Sequence, residues 1–270
     1  MSSAPATEVF PLIDIGANLS HESFHDDLDE VLARAQQVGL EKLVVTGTNL
    51  ESSRQAIDLC RQYPHLLVST VGLHPHEASH FSTDMEQEFR QLALNDCVKS
   101  LGETGLDFNR NYSPHADQEK AFEAQLAMAV ELQLPLFLHQ RDAHDRFLPI
   151  LKEYRDKLSQ VVVHCFTGKQ EELYDYNDLD LYIGITGWVC DERRGYELHP
   201  LLKDIPHKRL LLETDAPYLL PRNIQPKPRS RRNEPANLVY VLKMLAECMA
   251  CDPLELAEVT SSNARDFFAL

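Results

Sequence analysis

The chain has 270 residues and carries 26 Lys and Arg against 42 Asp and Glu, a formal charge of −16. Apolar residues make up 43% and charged residues 25%, ordinary globular usage that excludes an intrinsically disordered chain. Ten glycines and 15 prolines exclude collagen-like and low-complexity classes, and no apolar run is long enough for a membrane helix. In chain order, short apolar, β-branched runs predict strands over 9–15, 43–46, 67–71, 98–102, 136–139, 161–165, 181–185 and 210–213. Between and after them, helical patterns cover 27–38, 51–62, 84–94, 118–133, 143–158 and 237–249. Runs such as Leu-Val-Val-Thr at 43–46 and Val-Val-Val-His at 161–164 are continuous rather than alternating, which suits parallel strands buried on both faces.

Eight strands in this length give about 34 residues per βα unit. The expectation is therefore one domain over 1–270, a (β/α)8 TIM barrel whose active site lies at the C-terminal ends of the strands. No G-x-G-x-x-G opens a helix after the first strand, so a dinucleotide fold has no support. Residues 1–7 are small and polar, with neither a basic nor an apolar leader segment, so no secretory signal is expected. A cytoplasmic protein is the expectation. Its six cysteines, Cys60, Cys97, Cys165, Cys190, Cys248 and Cys251, would then be reduced thiols. Cys248 and Cys251 form a C-x-x-C at the end of a helical stretch. That context does not suit a redox motif, and a lone pair is only half a zinc site. Nothing in the sequence demands more than a monomer.

The chemistry gathers at the predicted strand ends. The fourth strand runs into Gly102-Glu103-Thr104-Gly105-Leu106-Asp107, the fifth into His139-Gln140-Arg141, the sixth into His164-Cys165-Phe166 and the eighth into Glu213-Thr214-Asp215-Ala216-Pro217. Glu103, His139, His164 and Asp215 are far apart in sequence, and only a closed barrel brings them together. Two imidazoles and two carboxylates suit a divalent ion: Zn²⁺, Mn²⁺ or, with more oxygen and water ligands, Mg²⁺. A second set follows on the same face: His74, Arg110, Arg141, Trp188, and the stretch 222–232 with five basic residues and no acid. In so acidic a chain, a local basic cluster beside a metal site reads as an anion funnel for phosphates. Trp188, the only tryptophan, either stacks on a base or packs under its loop.

Five phrases together resemble the TatD family of metal-dependent deoxyribonucleases, within the amidohydrolase-like TIM barrels. They are Gly72-x-His74-Pro75, Gly102-Glu103-x-Gly105-Leu106-Asp107, His139-x-Arg141, His164-Cys165-Phe166-x-Gly168 and Glu213-Thr214-Asp215-Ala216-Pro217. The likeness spans essentially the whole chain. It implies phosphodiester hydrolysis, as a 3′–5′ exonuclease on single-stranded DNA or RNA. It further implies that Glu103, His139 and His164 hold one ion and that Glu103 also faces a second position with Asp215. Asp215 would ligate that second ion or would position and deprotonate the attacking water. His74, Arg110, Arg141, Arg229 and Arg232 would orient phosphate. The chain departs from the family at the first strand, where Gly16 and Asn18 stand in place of His-x-His. That leaves the second position weaker and oxygen-rich, which favours Mg²⁺ as the cofactor. Two other readings share the same residues. One is a metal-dependent hydrolase of a small amide, lactone or phosphoester. The other is a barrel that binds nucleic acid without turnover.

Overall fold

The computed structural model describes residues 9–270. The segment 1–7, read above for a leader, lies outside them. Eight parallel strands follow the chain in spatial order: β1 (Leu12–Ala17), β2 (Leu40–Val45), β3 (Leu67–Val71), β4 (Val98–Asp107), β5 (Leu136–Arg141), β6 (Val161–Val163), β7 (Tyr182–Ile185) and β8 (Leu210–Leu212). Between and after them run α1 (Leu28–Gln37), α2 (Leu50–Gln62), α3 (Thr83–Leu92), α4 (His115–Leu132), α5 (His144–Tyr154), α6 (Gln170–Asp178), α7 (Leu238–Met249) and α8 (Pro253–Phe268). No helix among the described residues is long and apolar enough to cross a membrane. This is the TIM barrel expected from the alternation of strand and helix patterns.

The barrel closes between β8 and β1. Asp215 donates its N–H to Gly16 O at 2.8 Å, and Asn18 donates to Ala216 O at 2.7 Å. Buried Asp14 adds a side-chain tie, accepting from the Thr214 N–H at 3.0 Å and from the Thr214 hydroxyl. Burial pushes the Asp14 carboxyl up to about 7.

Apolar side chains divide into two layers. The larger packs the outward strand faces against the helices. The smaller fills the barrel interior with Ile13, Ile15, Val44, Val68, Phe137, Val162 and Leu211, capped by Phe267 and Phe268 of α8. α8 lies under the strand starts. Its Ser261 donates to Pro11 O, Asn263 donates to Leu210 O, and Phe267 meets Tyr182 edge-on at 5.1 Å. With the N-terminal mouth plugged in this way, the C-terminal mouth is the open one.

Three expected strand ends shift in ways that bear on the site. β4 is twice its expected length because Gly102 and Gly105, at φ +139° and +145°, carry it past β5. A Cβ at either glycine would meet a β5 carbonyl oxygen, Phe137 O at 2.1 Å and His139 O at 1.9 Å. The pairing of β4 with β5 slips between Leu101 and Thr104, so Glu103 stands on an irregularity in the ladder. β6 and β8 are shorter than expected. His164 and Asp215 therefore lie just beyond the strands, next to or at the left-handed residues Cys165 (φ 48°) and Asp215 (φ 54°).

Candidate metal and hydrolytic site

Glu103 organises the centre. Three imidazoles surround its Oε1: His164 Nε2 at 2.8 Å, His139 Nδ1 at 2.9 Å and His74 Nε2 at 3.2 Å. The carboxylate is 5% exposed. Burial works against its charge, yet His164 and His74 hold it well below the usual carboxylate range. The same proximity raises His164 well above its ordinary value despite burial, through Glu103 and Glu213. His74 moves the other way, down to about 4, because burial outweighs its carboxylate neighbour. His74, Glu103 and His139 each offer a donor atom within 4.8 Å of the others. His139 Nε2 is buried and has no hydrogen-bond partner. An orphaned imidazole nitrogen beside a carboxylate ringed by imidazoles fits a divalent cation, whose His/carboxylate ligands these would be.

Asp215 borders the same cavity, where the Asn18 amide donates to its Oδ1 at 3.1 Å. Burial pushes its carboxyl up to about 8, with Glu103 and Glu213 adding to the effect and His164 opposing it. Buried Glu213 braces the cluster from beneath. It receives the Cys165 N–H on Oε1, while Oε2 lies 3.2 Å from His164 Nδ1. This is how a histidine of such a centre is commonly oriented, by a carboxylate on its far nitrogen. Gly16 leaves room for that brace: a Cβ there would lie 2.6 Å from Glu213 Oε2. The strand-end position that lacks an imidazole is thus filled by a neighbour's carboxylate.

A carboxylate–histidine pair also stands on the β3–β4 side of the cavity. His76 Nε2 lies 2.8 Å from Asp107 Oδ2, and His139 Nε2 is 3.4 Å from the same oxygen. Asp107 Oδ1 accepts the backbone N–H groups of Asn109 and Arg110 at 2.9 and 2.8 Å. Burial opposes its charge, but His139 and His76 hold it well below the normal range. Two glutamines on one face of α4 fix these walls. Gln118 bonds both backbone groups of Asp107, and Gln125 bonds both of Leu73, the residue before His74.

The cavity measures about 740 Å³. Glu103, His139, His164 and Asp215 all line it, as expected of four strand ends on one rim. His74, expected among the phosphate-facing groups, sits with the metal-type donors. Arg110 and Arg141 do line the cavity. Arg232 does not reach it. Its guanidinium is spent on both carboxylate oxygens of Asp27 at 2.6 Å and on Ser23 O, over the Phe24 ring. Of the other basic residues in 222–232, Arg222 pairs with Glu192, and exposed Arg229 is not part of the cavity wall. The run was legible as basic, but not the acids waiting for it on other elements. Trp188 lines the cavity with the Arg194 guanidinium 4.1 Å and the Arg141 guanidinium 5.4 Å from its ring centre. It is a platform for cations as well as a wall. His76, Asp107, Glu213 and Arg194 received no role from sequence reasoning, although the first three stand within or beside the motif phrases.

The sequence profile of the TatD-related DNases matches residues 13–269. The chain belongs to that family. Relatives agree over nearly their full length. The 3′-5′ ssDNA/RNA exonuclease TatD of Salmonella typhimurium is 51% identical over 257 residues, covering 95% of this chain and 98% of that protein. The protein of the same description from Citrobacter rodentium is 52% identical, with 96% and 98% covered. A TatD-family hydrolase from Entamoeba histolytica superposes with a TM-score of 0.88 at 27% identity, covering 97% of this chain and 99% of that one. TatD-family nucleases are metal-dependent, and His74, Glu103 and His139 form a cluster able to bind a metal.

Proposed function

We propose that the protein is a metal-dependent 3′–5′ exonuclease acting on single-stranded DNA and RNA, working as a single-domain monomer in the cytoplasm. The observation that carries the reading is the single Glu103 oxygen ringed by His74, His139 and His164, with Asp215 on the same rim. The relatives that share half their residues with this chain over its whole length bear the name of that activity.

In this reading Glu103, His139 and His164, joined by His74, hold the firmly bound ion. Glu103 and Asp215 flank the oxygen-rich position. The ion is Mg²⁺, with Mn²⁺ and Zn²⁺ the alternatives that imidazole ligands accommodate. A divalent ion there supplies positive charge to the phosphoryl and leaving oxygens. The chain's own residues do the rest. Asp215 positions the attacking water. Arg110 and Arg141 bind the non-bridging oxygens of the scissile and neighbouring phosphates by charge-assisted hydrogen bonds. Glu213 keeps His164 aimed.

The test uses one oligonucleotide labelled at its 5′ or 3′ end, as a single strand and as a blunt duplex, with Mg²⁺. A 5′ label should report a ladder shortening by single nucleotides, and a 3′ label should appear at once as mononucleotide. The duplex should resist. Internal cuts, or first release from the 5′ end, would refute the assignment. Turnover of small esters or amides with no oligonucleotide cleavage would favour the small-substrate hydrolase.

A further inference from the structure

Two large aromatic side chains stand exposed at the rim of the site cavity. Tyr112 is 66% and Tyr218 52% exposed, and both line that cavity. Tyr112 follows β4 and Tyr218 follows β8. In a closed barrel of order β1 to β8 these strands are four apart in either direction, so the tyrosines face each other across the mouth. The Glu103 cluster lies between them. Each ring is met nearly at right angles by an imidazole. Tyr112 meets His76 at 4.7 Å and 77°, and Tyr218 meets His21 at 5.8 Å and 82°. A T-shaped partner covers at most one face of a ring, so each exposed tyrosine keeps a face open. Trp188, by contrast, already has the Arg194 guanidinium over its ring at 4.1 Å.

The rim is also divided by charge. Arg110 follows β4 and Arg141 ends β5, on Tyr112's side, and Arg194, from the loop after β7, shares the Trp188 ring with Arg141. Beyond Asp215, the lining beside Tyr218 is neutral: Asn18 and Leu219. The 5′ portion of the strand brings a phosphate with every nucleotide and needs the cationic half. The last nucleotide brings none beyond the scissile one and fits the neutral half.

Resting on the exonuclease reading, we propose that Tyr112 and Tyr218 are the base-stacking platforms of the site. Tyr218 takes the 3′-terminal base and Tyr112 the penultimate one, so the two bases splay apart with the scissile phosphate between them over Glu103. Stacking on an aromatic face is indifferent to base identity. Splaying two neighbouring bases requires both to be unpaired, so the arrangement supplies a structural reason for selecting single strands.

The experiment compares Tyr112→Ala and Tyr218→Ala, with the Phe versions as controls, on 5′-labelled single strands. The strands are intact, abasic at the terminal residue, or abasic at the penultimate residue. KM and kcat are read for the first cleavage in Mg²⁺. On the intact strand each Ala variant should raise KM by about 5- to 150-fold, the range for losing one stacked base, with kcat little changed. Each Phe variant should keep wild-type KM, because the ring face and not the hydroxyl is used. With the terminal base absent, the Tyr218→Ala penalty should vanish and that of Tyr112→Ala persist. With the penultimate base absent, the pattern should reverse. An unchanged KM in the Ala variants, a penalty indifferent to the abasic position, or the opposite pairing would overturn the proposal. A parallel titration in EDTA, using a strand with 2-aminopurine as its 3′-terminal base, reads stacking without turnover. Quenching by wild-type protein that Tyr218→Ala abolishes supports the proposal. Quenching that Tyr218→Ala leaves intact, or none at all, overturns it. Failure of the exonuclease reading looks different: the wild-type protein then degrades none of the strands in Mg²⁺.

Discussion

Replacing Gln125 with leucine tests whether α4 holds the site's walls. Gln125 is 2% exposed. Its Oε1 accepts the Leu73 N–H at 2.8 Å, and its Nε2 donates to Leu73 O at 3.1 Å, Ala121 O at 3.1 Å and Thr104 Oγ1. Leucine fills similar space but offers no polar atom. It strands the N–H and C=O of Leu73, which is itself buried and immediately precedes His74. Each stranded group costs about 1–3 kcal/mol, so the pair costs about 4 kcal/mol. For a chain of this size about 2 °C follows per kcal/mol, hence a fall in Tm of about 8 °C. The assay is thermal denaturation by circular dichroism, with kcat/KM measured well below the new Tm. Because the β3 end loses its anchor to α4, kcat/KM should fall even while the protein is folded. Gln55→Leu, on an exposed turn of α2, is the control and should shift stability by no more than about 0.5 kcal/mol. A Gln125→Leu protein melting within about 2 °C of wild type would refute the reasoning.

The basic residues should separate by role. Arg110→Ala and Arg141→Ala should each flatten the salt dependence of strand binding by about 0.7 in log–log slope, whereas Arg232→Ala should leave the slope alone and lower Tm by about 2–4 °C through loss of its Asp27 pair. Fluorescence anisotropy across a salt series, with melting curves, distinguishes them. pH supplies a further test. Asp215 (raised to about 8), Asp14 (raised to about 7), His139 and His164 all bind protons more tightly folded than unfolded, so the stability they contribute at low pH is lost as pH rises through their folded values. His74, lowered to about 4, has the opposite effect, but only below its unfolded value of 6.5. From pH 6.5 to 8 the Tm in EDTA should therefore fall. The Tm gain on adding Mn²⁺, which displaces those protons, should grow over the same interval; an equal gain at both pH values would contradict this. Gly16→Ala puts a methyl 2.6 Å from Glu213 Oε2 and 3.0 Å from the Phe137 ring, so Tm should drop by about 2–6 °C. The brace on His164 should loosen, and elemental analysis after dialysis should find less retained metal.

The barrel was legible because its strands are continuous apolar runs at near-regular spacing, and the site because its residues stand at strand ends. What lay hidden depends on contacts across the fold. Nothing local in 222–232 tells that Arg232 meets Asp27, over two hundred residues earlier. The length of β4 was missed because glycine reads as a strand breaker, whereas Gly102 and Gly105 let the strand run close against β5. The missing imidazole at Gly16 reads as a loss in sequence. In the fold it is the space that buried Glu213 needs. α6 and α8 escaped the helical patterns singled out, α8 because its residues face the barrel floor and the helix layer together and show no single apolar stripe.

Removing Glu103 tests whether its cluster is the metal-dependent hydrolytic centre. The most direct measurement is the rate at which wild-type and Glu103→Ala proteins, both shown folded by circular dichroism, degrade a 5′-labelled single strand in Mg²⁺ and in EDTA. A shortening ladder is expected from wild type in Mg²⁺, none in EDTA, and a rate lower by about a thousandfold or more in the variant. A Glu103→Ala protein that digests the strand at close to the wild-type rate would contradict that role.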